Sequence, residues 1–150
     1  MENLKECLIF FIYKHSKRIS RTKLFKLVYL SDVLSYAKRG RTITGVDYVY
    51  YDYGPWSPLF YDALRSIKNI AEERVSLTSR GDPSYIYRAA APRYRVEHLS
   101  TEDLEILKQI DAEWGNRSLR AVLDAAYSSP PFVDAKYGDI LDFGKISRSR

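Results

Sequence analysis

Two prolines and a glycine in the stretch Tyr53-Gly54-Pro55-Trp56-Ser57-Pro58 divide this chain more sharply than any other feature. Upstream, Val46-Asp47-Tyr48-Val49-Tyr50-Tyr51 is β-branched and aromatic, the make-up of an extended segment reaching from Ile43 to Tyr53. Gly54-Pro55 ends that run, because glycine opens backbone conformations other residues avoid and proline has no N–H to offer a neighbouring strand. Ser57-Pro58 then reads as a helix start, with serine as the cap and proline at the first helical position, where no N–H is needed. Leu59, Phe60, Ala63, Leu64 and Ile67 follow on one face, and the pattern fades near Asn69. The turn thus redirects the chain from extended to helical amid seven aromatics between Tyr48 and Tyr61. Such rings fill cores, but Tyr and Trp also favour interfaces because each joins an apolar body to a polar tip. Both roles stay open for Tyr51, Tyr53, Trp56 and Tyr61, whereas Gly54 and Pro55 have a structural task.

The flanking sequence supplies helices. Leu4, Cys7, Leu8, Phe11 and Ile12 share one face of a helix over residues 3–14, which places Cys7 in an apolar stripe. Ser20 caps a second helix that runs to about Lys38 and stops at Gly40. Its inner stripe is Leu24, Leu27, Val28, Ser31 and Leu34, with Lys23 and Lys26 beside it. Residues 73–98 read as a strand pair around the Arg80-Gly81-Asp82-Pro83 turn, with Tyr94-Arg95-Val96 extending it. Ser100-Thr101-Glu102-Asp103 resembles a capping box, with Leu99 and Leu104 as a hydrophobic staple, and opens a helix ending at Gly115. Asn116 caps a last helix carrying Leu119, Val122, Leu123 and Ala126, which Pro130-Pro131 terminates. Ile140, Leu141 and Phe143 pack back on the domain, and a basic tail from residue 144 to 150 frays. The fold class is therefore α+β, mainly α: one domain over 1–150, with about five helices and a small antiparallel β element.

At 150 residues the chain is long enough to bury its own core. The longest dense apolar run near the start, Leu8 to Ile12, is far short of the about 20 residues that cross a bilayer, and no signal-peptide cleavage site follows it. One cysteine precludes an internal disulfide and fits a reducing cytoplasm. Neither metal nor other cofactor is expected, since Cys7, His15 and His98 lack ligand spacing and no Gly-rich phosphate loop occurs. A Cys7–His15 nucleophile pair has no orienting or oxyanion motif, and the acidic pairs read as solvated turn or helix residues. Nothing marks catalysis.

Charge is uneven, with +7 over residues 1–45, −4 over 46–114 and +2 over 115–150. Lys17, Arg18, Arg21, Lys23 and Lys26 surround the junction of the first two helices. Followed by a hairpin, that arrangement suits a winged helix-turn-helix variant contacting phosphates. Against it, Leu24, Phe25, Leu27, Val28, Leu30, Val33 and Leu34 make the second helix too apolar to lie exposed in a groove. A core helix with basic flanks explains the same residues.

Three ordered blocks carry a resemblance. Lys23-Leu24-Phe25-Lys26-Leu27-Val28-Tyr29-Leu30 matches a K-L-x-K-L-x-Y pattern, and Tyr53-Gly54-Pro55-Trp56-Ser57-Pro58-Leu59-Phe60-Tyr61 matches Y-G-P-V/W-x-P-x-x-Y. The third block comprises Trp114-Gly115-Asn116-Arg117-Ser118-Leu119, Leu123 and Ser129-Pro130-Pro131. Over about residues 20–141 the chain resembles the Panacea (SocA-like) antitoxin domain family. It departs from the pattern at Tyr127, where many members carry histidine. The resemblance implies a mainly helical domain that neutralises a cognate protein toxin, with neighbouring genes encoding the pair. One branch delivers its toxin to a protease as an adaptor. On this reading the protein is a cytoplasmic, non-enzymatic antitoxin whose partner contacts Tyr51, Tyr53, Trp56 and Tyr61. The alternative is a nucleic-acid-binding transcriptional regulator, with weak DNA binding through the basic junction.

Overall fold

The central element of the computed structural model, which describes residues 1–148, is a helix surrounded by the rest of the chain. This helix, α2 (Arg21–Arg39), starts where Ser20 Oγ accepts the Lys23 N–H at 3.2 Å and ends at Gly40, whose φ of 74° lies in the left-handed region. Every residue from Leu24 to Asp32 is buried, as expected of a helix packed on all sides. Around it lie α1 (Glu2–Lys14), α3 (Leu59–Ser66), α4 (Thr101–Trp114), α5 (Leu119–Tyr127) and the single turn α6 (Pro130–Val133). α1 turns Leu4, Cys7, Leu8, Phe11 and Ile12 into the core, where burial pushes the Cys7 thiol well above its ordinary pKa. The capping box forms as the sequence predicts: Ser100 Oγ accepts the Asp103 N–H, and Asp103 accepts the Ser100 N–H.

The β structure is two small antiparallel pieces. β4 (Ala71–Leu77) and β5 (Pro83–Ala89) form a hairpin in the register Val75↔Tyr85, and the two-residue β1 (Ile19–Ser20) adds to β5 through Ile19↔Tyr87. Separately, β2 (Val49–Tyr51) pairs with β3 (Gly54–Trp56) across Asp52-Tyr53, with Tyr51 opposite Gly54. The α+β, mainly helical class read from the sequence is the observed one.

Several local expectations need correction. The extended segment is only Val49–Tyr51, because residues 43–48 wrap a buried carboxylate instead of pairing with a strand. Asp32 accepts the N–H groups of Ile43 (2.7 Å) and Thr44 (3.1 Å), the Thr44 hydroxyl and the Tyr48 hydroxyl (2.6 Å). Burial raises the Asp32 pKa against the pull of these four bonds. Tyr94-Arg95-Val96 is no strand, since the backbone just beyond it is held by another side chain: Glu6, buried in α1, accepts the N–H groups of Glu97, His98 and Leu99. Asn116 does not cap α5; Ser118 does, accepting the Ala121 N–H at 3.2 Å. Pro130-Pro131 opens α6 rather than closing the helical part, as prolines without an N–H can at a helix start. α3 ends at Ser66, and Leu59, Leu119 and Ile140 are exposed. The tail is tied down further than expected, with a 3-10 turn at Phe143–Lys145 and a buried Ile146. Ser149 and Arg150 lie outside the described residues.

Candidate functional site

Three side chains at three-residue steps on α2 hold three distant segments together. Lys23 Nζ donates to the carbonyls of Gly115 (2.7 Å) and Arg117 (2.9 Å), fixing the α4–α5 link. Lys26 Nζ donates to the Pro55 carbonyl at 3.1 Å, gripping the β2–β3 hairpin. Tyr29 shares a 2.6 Å hydrogen bond with Ser129 Oγ, just before α6, and that hydroxyl also donates to the Ala126 carbonyl at 2.6 Å. Such spacing puts the three groups on successive turns, so one helix aligns the Gly-Pro hairpin, the α4–α5 link and the Pro-Pro turn. The three sequence blocks are therefore joined by direct bonds.

The hairpin itself requires glycine. Gly54 has φ +98°, and a Cβ there would lie 2.7 Å from the Tyr127 ring and 3.3 Å from Lys26 Cε. Tyr127, the position singled out in the sequence, is thus a wall of the hairpin and also packs on Phe132 with ring centres 5.4 Å apart. α3 starts one residue later than expected, with Pro58 as its N-cap already in helical conformation, while Ser57 Oγ accepts the Leu59 N–H at 3.2 Å. Phe60 then stacks on Phe25 at 4.3 Å, orienting α3 against α2.

With the hairpin and α3 placed, four aromatic side chains form a ladder on the surface. Tyr137 stacks on Tyr51 at 5.6 Å, Tyr51 on Trp56 at 5.1 Å, and Trp56 meets Tyr61 at 5.7 Å. Tyr51 and Tyr61 are exposed and Trp56 is half-buried; Tyr53, at the hairpin tip, is 73% exposed. Four of the aromatics singled out in the sequence are therefore at the surface, while Tyr48 and Phe60 are core. The ladder flanks a cleft of about 720 Å³ between the β2–β3 hairpin and the β4–β5 turn. Tyr85 forms part of its far wall; Asp52 and Asp82 line it too, and buried Phe25 and Lys26 form its floor. Tyr85 and Tyr137 were missed in the sequence, because only the tertiary fold brings residues 85 and 137 beside residues 51–61.

The basic junction is mostly engaged internally. Lys26 is a correction: it does not flank α2 as a phosphate contact but is 2% exposed, and burial lowers its pKa to about 8. Lys23 is half-buried and spent on two carbonyls. Arg21 lies 3.7 Å from the Tyr85 ring centre, donates to the Tyr87 hydroxyl at 2.9 Å and pairs with Glu73 at 3.0 Å. Lys17 and Arg18 alone of the five are exposed, in the turn after α1.

Among the described residues no group of three or more His, Cys, Asp or Glu is placed to hold a metal ion. His15 pairs with Asp111 at 2.8 Å and His98 with Glu6 at 2.7 Å, on separate elements. No helix among the described residues is long and apolar enough to cross a membrane.

Fold and cleft define a small, mainly helical α+β domain that presents an aromatic face around a rigid Gly-Pro hairpin. The family model described as antitoxin SocA-like, Panacea domain matches residues 24–131, and the chain belongs to that family. Apart from Lys23, immediately before it, that span contains all three blocks tied together by α2. No curated protein and no solved structure matches the chain.

Proposed function

We propose that this protein is an antitoxin that neutralises a cognate protein toxin by direct contact, through the aromatic face formed by Tyr51, Tyr53, Trp56 and Tyr61. The observation carrying this reading is the ladder Tyr137–Tyr51–Trp56–Tyr61, with Tyr51 and Tyr61 exposed and Trp56 half-buried, beside Tyr53 exposed at the tip of a tightly tied hairpin. Aromatic anchors dominate the energetics of most protein interfaces, and a surface that is already ordered loses little entropy on binding. The toxin is encoded next to the antitoxin, and the protein acts by binding rather than by catalysis.

Expression of the neighbouring gene with and without this protein tests the reading. Growth arrest rescued by co-expression, with a co-purifying complex that Trp56→Ala and Tyr53→Ala disrupt, supports it. Rescue that survives both substitutions moves the contact elsewhere on the domain. Sensitivity of the toxin's lifetime to protease inhibition separates an adaptor from a simple sequestering antitoxin. Lys17 and Arg18 are too few to give the steep salt dependence of a phosphate-tracking surface, so binding should change little between low and moderate salt.

A further inference from the structure

Lys26 is the unusual group on the cleft floor. Its ammonium has three donors, yet its one protein acceptor among the described residues is the Pro55 carbonyl. Among the described residues it has no salt bridge, although the cleft it lines is open to solvent. Buried cations are ordinarily paired, because desolvating an unpaired charge is costly. Arg21, the other cation at the cleft, is already held by Glu73 and the Tyr87 hydroxyl.

We propose that the cleft receives a glutamate side chain from the partner protein, whose carboxylate pairs with Lys26 Nζ between the Tyr51–Trp56 and Tyr85 walls. This deepens the aromatic-face reading above and rests on it. Two observations favour one long-stemmed acid over other anions. Lys26 lies on the floor beneath aromatic walls, so methylenes must occupy the wall and the charge must reach past them. A chain terminus would instead have to draw its own peptide groups down to the floor, out of water. Asp52 and Asp82 also line the cleft, which repels a polyanion such as nucleic acid but suits a segment whose glutamate is flanked by basic or amide groups.

The test pans a library of random 12-residue peptides against the full chain, with Lys26→Met, Lys26→Gln and Trp56→Ala variants as counter-screens. Lys26→Gln removes the charge while keeping a donor for the Pro55 carbonyl, and circular dichroism with urea melts verifies that each variant folds. The expected result is a set of binders sharing one glutamate beside an apolar residue. Their affinity should fall roughly 10- to 100-fold on Lys26→Gln, the range for losing a charge-assisted hydrogen bond, and equally on replacing that glutamate by glutamine. Binders that lose affinity on Trp56→Ala but not on either Lys26 variant overturn the glutamate proposal and leave the aromatic face standing. A library without binders sensitive to Trp56 overturns both. A twelve-nucleotide poly-dT probe is titrated in parallel; binding that depends on Lys26 would replace the glutamate by a phosphate and likewise overturn the proposal.

Discussion

Replacing Lys26 by methionine should make this protein more stable. The lysine's pKa falls from 10.5 to about 8 in the folded chain because burial removes water from its charge. At about 1.4 kcal/mol per unit, holding the ammonium in place at pH 7 costs about 3 kcal/mol. Methionine fills a similar volume without charge, but it gives up the bond to the Pro55 carbonyl, worth about 1 kcal/mol. The net gain is about 2 kcal/mol at pH 7, a shift of about 1 M in the urea midpoint. The pH dependence is more telling. Between about pH 8 and pH 10.5 the folded chain binds fewer protons at this site than the unfolded chain does, so wild-type stability rises through that window. The advantage of Lys26→Met should therefore shrink to about zero by pH 10. Urea titrations of both proteins at pH 7 and pH 10, followed by tryptophan fluorescence, make the comparison. A variant no more stable than wild type at pH 7, or one whose advantage persists unchanged at pH 10, would refute the claim that Lys26 is a strained, unpaired cation. Retention of such a residue fits a functional site held at the expense of stability.

Gly54→Ala should destabilise by roughly 1–3 kcal/mol, because it combines a left-handed φ of +98° with a Cβ driven toward the Tyr127 ring. Adding Tyr127→Ala should recover only the steric part, which thermal melts of the double variant will show. Arg39→Ala leaves the 7%-exposed Asp103 side chain without its 2.7 Å partner at the α2–α4 contact, and should cost about 3 kcal/mol in urea unfolding. Tyr53→Ala, at the solvent-facing hairpin tip, should change stability by less than about 0.5 kcal/mol while removing toxin rescue in the growth assay. Equal loss of rescue and of stability would show that Tyr53 supports the fold instead.

Much of the architecture was legible in local chemistry. Ser20, Gly40, Ser100 and Asp103 act where their capping chemistry predicts, since a cap is satisfied by groups within three or four residues of itself. The Gly54-Pro55 turn was legible for the same reason, and the three blocks were recognisable as a family pattern. Residues 43–48 and 94–98 misled because Asp32 takes the N–H groups of Ile43 and Thr44 and Glu6 those of Glu97 and His98, acids 11 to 92 residues away in the chain. No local period reports such a bond. Lys26 is the clearest case. Its sequence neighbours place a lysine at the edge of an apolar stripe, and a long side chain there ordinarily reaches water. Whether it does depends on what lies over it, and the Gly-Pro hairpin closes over Lys26 from 29 residues further on. Aromatic composition likewise predicts that some tyrosines must face outward. Which ones join into a ladder depends on packing Tyr137, Tyr51, Trp56 and Tyr61 from separate elements onto one face. The sequence by itself thus determined the caps of α2 and α4 and the Gly-Pro turn, which rest on short-range satisfaction of backbone groups, and the family, which rests on the three blocks. Tertiary structure alone decided which charge is buried and which rings are exposed, because burial is a property of the neighbours that long-range packing supplies.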